Sequence, residues 1–207
     1  MKIASLFFLM SLFISAFLSA ADCGWKDLIT KDLSNFETTG NWKVDDKGVL
    51  TLEPREGEKG WKRYDAYLWV KGDYGDFEMT MDFNLVKGGN SGLFFRVSDK
   101  KDPVNNGMEV QILEGAKKGK DLGHHDMAGI IRLQGATKYT LNKPGEWNTM
   151  ILKAVGQALT VTVNGEVVNE VDLSKGNRKG HPLKGYISIQ DHGGPLTFRN
   201  VKIKELK

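Results

Sequence analysis

The chain alternates apolar and polar residues with a period of two along most of its length, and that pattern restricts it to β-strands. Phe77, Met79, Met81, Phe83 and Leu85 interleave with Glu78, Thr80, Asp82 and Asn84 without an interruption. Met108, Val110 and Ile112 alternate with Glu109 and Gln111, and Leu159, Val161 and Val163 with Thr160 and Thr162. Further on, Ile187 and Ile189 alternate with Tyr186, Ser188, Gln190 and His192, and Val201 and Ile203 with Lys202 and Lys204. Turn chemistry separates the runs. Asn164-Gly165 supplies the two positive-φ positions of a tight hairpin, and Asp45-Asp46-Lys47-Gly48 marks another reversal. Most of the 24 glycines fall between runs. Beyond the N-terminal segment no stretch keeps a helical period. About eleven strands with short connections predict an all-β fold, an antiparallel two-sheet jelly-roll sandwich.

The N-terminus reads as an address. Lys2 precedes an apolar run over residues 3–18, and Ser19-Ala20-Ala21 offers small side chains for cleavage before Asp22. Residues 1–21 are therefore expected to be a signal peptide, and 22–207 a single domain exported to the periplasm or beyond. No second apolar stretch is long enough to span a bilayer. Cys23 is the sole cysteine, which precludes an internal disulfide. A lipid anchor there is the weaker reading, because Asp22 stands where a small residue is wanted. The 29 basic and 26 acidic residues leave a net charge of +3. Lysines are scattered apart from Lys117, Lys118 and Lys120, a solvated surface and not a nucleic-acid stripe.

Exposed strand positions usually carry Thr, Lys or Glu. Here Glu109, Gln111, Ser188, Gln190 and His192 form instead a set suited to hydroxyl groups, and residues two apart on a strand share a face. Glu109 reads either as a working carboxylate or as a strand Glu paired with a lysine. His192 reads as an acid or base near neutrality or as decoration of a strand end. Among the aromatic residues, Trp61 is the better sugar platform, while Trp69 and Trp147 are expected in the core. His124-His125-Asp126 suggests a divalent metal, but its spacing matches no dedicated zinc pattern; His124 or Asp126 reaching a cleft without metal is the alternative.

An ordered series of motifs adds to this reading. It runs through Asn90-Ser91-Gly92-Leu93-Phe94-Phe95-Arg96, then Gly107-Met108-Glu109-Val110-Gln111-Ile112-Leu113-Glu114, then Gly145-Glu146-Trp147-Asn148 and Val163-Asn164-Gly165. Gly185-Tyr186-Ile187-Ser188-Ile189-Gln190-Asp191-His192-Gly193 and Phe198-Arg199-Asn200-Val201 close it. In order and spacing these resemble the 3-keto-disaccharide hydrolase domain family, over nearly the whole mature chain. The resemblance implies a concanavalin A-like sandwich acting on glycosides whose carbon 3 is a ketone. Such a ketone acidifies the proton on carbon 2, and the enolate expels the group at carbon 1. The reaction needs a base, donors for the enolate oxygen and an acid for the leaving group.

On that resemblance Glu109 and His192 are the candidate bases or acids. Arg96 either stabilises the enolate or pairs with Glu109. Gln111, Gln190, Asn90, Ser91, Trp61, His124 and Asp126 are candidate substrate contacts. An upstream sugar 3-oxidoreductase is the implied partner. Two departures stand out: Glu114 replaces a common Asp, and Gly129-Ile130-Ile131-Arg132 replaces a Gly-Ala-Ile-Tyr element, which puts the leaving-group side of the pocket in question. Two other readings compete. Glu109 and Glu114 resemble the acidic pattern of family-16 glycoside hydrolases, if a bulge brings both to one face. A non-catalytic carbohydrate-binding module is the reading from a different class.

Overall fold

The computed structural model describes residues 24–115, 122–175 and 180–207. The expected signal peptide, Cys23 and the Lys117, Lys118, Lys120 cluster lie outside the described residues. Within them are thirteen strands: β1 (Lys26–Asp27), β2 (Phe36–Glu37), β3 (Trp42–Val44), β4 (Leu50–Leu52), β5 (Leu68–Val70), β6 (Phe77–Asn84), β7 (Asn90–Val97), β8 (Met108–Leu113), β9 (Trp147–Val155), β10 (Ala158–Val163), β11 (Glu166–Asp172), β12 (Tyr186–Ile189) and β13 (Leu196–Glu205). The only α-helix among them is α1, one turn over Pro103–Asn106. No helix among the described residues is long and apolar enough to cross a membrane.

Two antiparallel sheets form the expected sandwich. The larger runs β11-β10-β9-β6-β13-β4-β3, with β1 also paired to β13; the smaller runs β2-β5-β12-β7-β8. Alternation in sequence becomes alternation in burial: Phe77, Met79, Met81 and Phe83 of β6 are buried, while Glu78, Thr80, Asp82 and Asn84 face outward. Asn164 and Gly165 take φ of 51° and 82°, the paired left-handed turn that the dipeptide predicts between β10 and β11. Trp147 departs from expectation. It lies on the outer face of the larger sheet, with the Arg199 guanidinium 4.2 Å above its ring.

The smaller sheet is buried on both sides. Leu68, Val70, Leu93 and Phe95 enter the main core, while Tyr67, Trp69, Phe94 and Val97 form a second cluster on the opposite face. Trp69 is therefore buried as expected, but under the outer face. Its indole N–H donates to the Tyr64 carbonyl at 2.7 Å. This two-sided burial gives the outer face an apolar base on which polar groups are desolvated.

Candidate functional site

Strand register assembles the site. Ser188 pairs with both Trp69 and Phe94, and Phe94 pairs with Glu109, so one row across the sheet reads Trp69, Ser188, Phe94, Glu109. The next row on that face holds Tyr67, Gln190, Gly92 and Gln111. Gly92 pairs with Gln111, the Gln190 N–H donates to the Gly92 carbonyl at 2.8 Å, and the Gln190 amide meets the Tyr67 hydroxyl at 3.1 Å. Beyond it lie Asn90 and His192, whose Nδ2 and Nε2 are 3.3 Å apart. Glu109, Gln111, Gln190 and His192 thus share one cleft of about 410 Å³, together with Trp61, Asn90, Val104, His125, Ile131 and Arg132.

Gly92 shapes the floor. It is the one member of its row without a side chain, and the Glu109 carboxyl leans into the vacated space. A methyl group on Gly92 would overlap Glu109 Oε1 and come within 2.9 Å of the carboxyl carbon. Gln111 Nε2 donates to Asn90 Oδ1 at 2.8 Å, which links the second row to the third.

Two connections wall the cleft. On one side the segment before β5 brings in Trp61, whose carbonyl accepts from the Tyr67 hydroxyl at 2.7 Å. Arg63 anchors that segment to wholly buried Asp191 at 2.7 Å. Gly193 lies so close to Gly60 that a Cβ would come within 2.8 Å of its nitrogen. On the other side residues 128–131 run along the free edge of β8. Ala128 N donates to the Gln111 carbonyl at 2.8 Å, Gln111 N to the Gly129 carbonyl at 2.8 Å and Ile131 N to the Glu109 carbonyl at 2.9 Å. This covers an edge that would otherwise be open to pairing. It also delivers Ile131 and Arg132, the latter at φ 65° and bonded through Nη1 to Asn105 Oδ1 of α1 at 3.1 Å. The Gly129-Ile130-Ile131-Arg132 departure therefore builds one wall of this cleft.

Glu109 is the least satisfied charge in the site. It is 9% exposed, and its carboxyl has no hydrogen bond or ion pair with any described side chain. Burial, with Phe94 directly opposite, pushes its pKa from the usual 4.5 up to about 8, and the positive charge of Arg132 opposes that rise only in part. Burial also raises the Tyr67 hydroxyl, with Glu109 among the smaller contributors. His125 is held below its ordinary value, first by burial and then by its neighbour His124, whose ring centroid is 4.1 Å away.

Several expected residues fall elsewhere. Arg96 is fully buried at φ 51°. Its guanidinium donates to the Gly156 carbonyl at 2.8 Å and faces Asp76 Oδ1 at 3.4 Å, so it ties β7 to the β9–β10 turn and neither meets Glu109 nor enters the cleft. Ser91 points into the sandwich and donates to the Gln190 carbonyl at 2.8 Å. Ser188, also fully buried, sits beneath the aromatic cluster. His124 Nδ1 accepts from the Arg132 N–H at 3.2 Å, and Asp126 Oδ2 caps its own turn by accepting from Gly123 N at 2.7 Å; neither lines the cleft. With those atoms engaged, residues 124–126 do not converge as metal ligands, and no group of three such side chains does so among the described residues. The strand bulge required by the family-16 pattern is absent: β7 and β8 pair in unbroken register, and Glu114 Oε2 accepts from Gly88 N outside the cleft.

His125, Arg132, Val104, Ile131 and Tyr67 were not legible as site residues. His125, Ile131 and Arg132 sit on an irregular connection and Val104 in the single turn of α1, where no periodicity reports direction. Tyr67 alternates correctly with Trp69, the one signal that places it on the working face.

The motifs around Asn90, Glu109 and Gln190 lie on this smaller sheet and the others on the larger one, and a model of the 3-keto-alpha-glucoside-1,2-lyase-like domain matches residues 24–204. The chain belongs to that family. A curated 3-keto-disaccharide hydrolase of Bacteroides thetaiotaomicron is 27% identical, over 80% of this chain and 70% of its own. A crystal structure of a candidate glycosyl hydrolase from Parabacteroides distasonis is 32% identical with a TM-score of 0.75, covering 88% of this chain and 99% of that one. A winged bean acidic lectin, 12% identical with a TM-score of 0.58, covers 86% of this chain and 95% of its own; it shares the lectin-type sandwich fold alone.

Proposed function

We propose that the protein cleaves the glycosidic bond of 3-keto-glycosides, with Glu109 as the base that takes the proton from carbon 2. The observation that carries this reading is the unpaired, desolvated Glu109 carboxyl, raised to about 8, among side chains suited to hydroxyl groups. A carboxylate held away from water is a stronger base than one in solution, and a ketone at carbon 3 makes the neighbouring C–H acidic enough for it. The C2–H electron pair enters the enolate. When the carbon 3 carbonyl re-forms, a C1=C2 double bond is made and the C1–O bond to the leaving group breaks. Addition of water at carbon 1 then gives the free 3-keto sugar.

Arg132 and His125 on the far wall supply the positive charge and the N–H donors for the enolate oxygen, the role that was one of two alternatives for Arg96. His192, open to the cleft, hands a proton to the departing oxygen. Trp61 offers an aromatic face to the ring. Only an oxidised sugar fits this chemistry, so a sugar 3-oxidoreductase acts upstream; the signal peptide expected over residues 1–21 supports work in the periplasm or beyond.

A 3-keto glucoside with a chromogenic leaving group tests the reading. Glu109→Gln is expected to lower turnover at least 100-fold, within the range for a general base. Turnover unchanged in both Glu109→Ala and His192→Ala removes both residues from the chemistry. A wild-type protein that binds sugars yet never releases the chromophore is a binding module.

A further inference from the structure

We propose that Asn105 is a positioning residue that holds the Arg132 guanidinium in the cleft that contains Glu109. Arg132 occupies the third position of a tight turn, Ile130 to Leu133, closed by Leu133 N donating to the Ile130 carbonyl at 2.9 Å. Its φ of 65° is a conformation that Gly or Asn takes readily and a longer side chain takes under strain. The chain thus accepts a backbone cost to bring a guanidinium to this wall. That side chain has two places to go. Arg132 lines both the cleft and an adjoining cavity of about 420 Å³, whose other residues include Glu170 and Asp172. Asp172 already faces Lys175 at 3.3 Å, which leaves Glu170 as the carboxylate able to draw the guanidinium out.

Asn105 opposes that pull. Its Nδ2 donates to the two oxygens of Asp102, at 3.1 and 2.9 Å, and its Oδ1 accepts from Arg132 Nη1 at 3.1 Å. Both neighbours impose the same orientation on the amide, because a carboxylate only accepts and a guanidinium only donates. Asp102 is fixed in turn as the N-cap of α1, accepting from Asn105 N at 3.4 Å. Since α1 touches both β7 and β8, the oxygen offered to Arg132 is tied to the frame of the sheet. A hydrogen bond to a charged group biases the position of that group by about tenfold. Held there, the guanidinium opposes the rise that burial imposes on the Glu109 carboxyl. The anchor stands on these contacts alone; its use in catalysis rests on the enolate-stabilising role proposed for Arg132.

The melting gap between each protein and its Glu109→Gln counterpart, followed from about pH 5 to 10, reads the charge near Glu109 without any substrate. Loss of that charge raises the folded-state pKa of Glu109, so the gap levels off at a higher pH. The other titratable groups around Glu109, namely Tyr67, His125 and His192, are common to both members of each pair and cancel. Arg132→Met and Asn105→Leu are both expected to move the plateau to higher pH, and Asn105→Leu to move it no further in the Arg132→Met background. Asn105→Gln keeps a neutral amide oxygen for Arg132 and is expected to leave the plateau near its wild-type position. Asn105 is exposed, so these substitutions leave the buried core untouched. With the chromogenic 3-keto glucoside, kcat/KM is expected to fall about tenfold in Asn105→Leu, but by less than about twofold when Arg132→Met is already present. A plateau that stays in place in Asn105→Leu, or that Asn105→Leu still moves in the Arg132→Met background, overturns the inference and leaves the proposed reaction standing. A plateau indifferent to Arg132→Met overturns it as well, because the guanidinium then does not face Glu109. Plateaus that move as expected in a wild type that never cleaves the 3-keto glucoside defeat the proposed reaction alone.

Discussion

Replacing Glu109 with Gln is expected to stabilise the protein at high pH and to do nothing at low pH. The carboxyl is favoured in its neutral form inside the fold, with its pKa raised from 4.5 to about 8. A carboxyl with a raised pKa binds its proton more tightly in the folded state. Its contribution is whole below pH 4.5 and is lost as pH climbs, levelling off above about 8. Complete loss corresponds to about 5 kcal/mol, and water entry or side-chain relaxation in the cleft reduces that to roughly 2–5 kcal/mol. Gln has the same shape and no proton to lose, so the stability difference opens only as wild type ionises. For a domain of this size each kcal/mol moves Tm by about 2–4 °C, so the variant should melt roughly 5–15 °C above wild type at pH 9 and within about 2 °C of it at pH 5. Calorimetric scans of both proteins at matched ionic strength across that range measure the gap directly; every other titrating group cancels in the difference. A gap that stays constant with pH, or a variant less stable at pH 9, would falsify the claim that Glu109 is a desolvated, unpaired acid.

Three further outcomes follow from the geometry. Gly92→Ala places a methyl group where the Glu109 carboxyl lies, so kcat/KM for the 3-keto substrate is expected to fall about 100-fold, the consequence of displacing a reacting group by an ångström; retained activity would show that Glu109 works from another position. Arg96→Met removes a fully buried guanidinium that bridges Gly156 and Asp76, and urea unfolding should show a loss of about 3 kcal/mol while kcat/KM of the folded protein stays within twofold. A loss of activity without a loss of stability would return Arg96 to the chemistry. Gly165→Ala forces a side chain into φ 82° with open space around it, so thermal melting should report about 1–2 kcal/mol of pure backbone strain and no change in activity.

The layers of this protein follow from local pattern alone. A period of two over several runs leaves only strands, and β6 shows why the reading transfers directly: each buried residue is one that alternation assigned to the core. The same rule placed Glu109 beside Gln111, and Gln190 beside His192, because direction along a strand is a local property. The family motifs that carry Glu109 and Gln190 follow β8 and β12, and were legible for that reason.

Contacts between distant segments set what local patterning does not encode. Arg96 follows the apolar Leu93-Phe94-Phe95 run of β7, but a positive φ turns it toward Gly156 and Asp76, residues distant in sequence. His125, not His124 or Asp126, reaches the cleft because a Gly-rich connection folds along the edge of β8, and irregular backbone carries no period from which direction can be read. The basicity of Glu109 is likewise a property of the assembly. Its neighbours Phe94 and Gly92 come from another strand, and desolvation depends on everything within reach in space, which no single stretch of chain specifies.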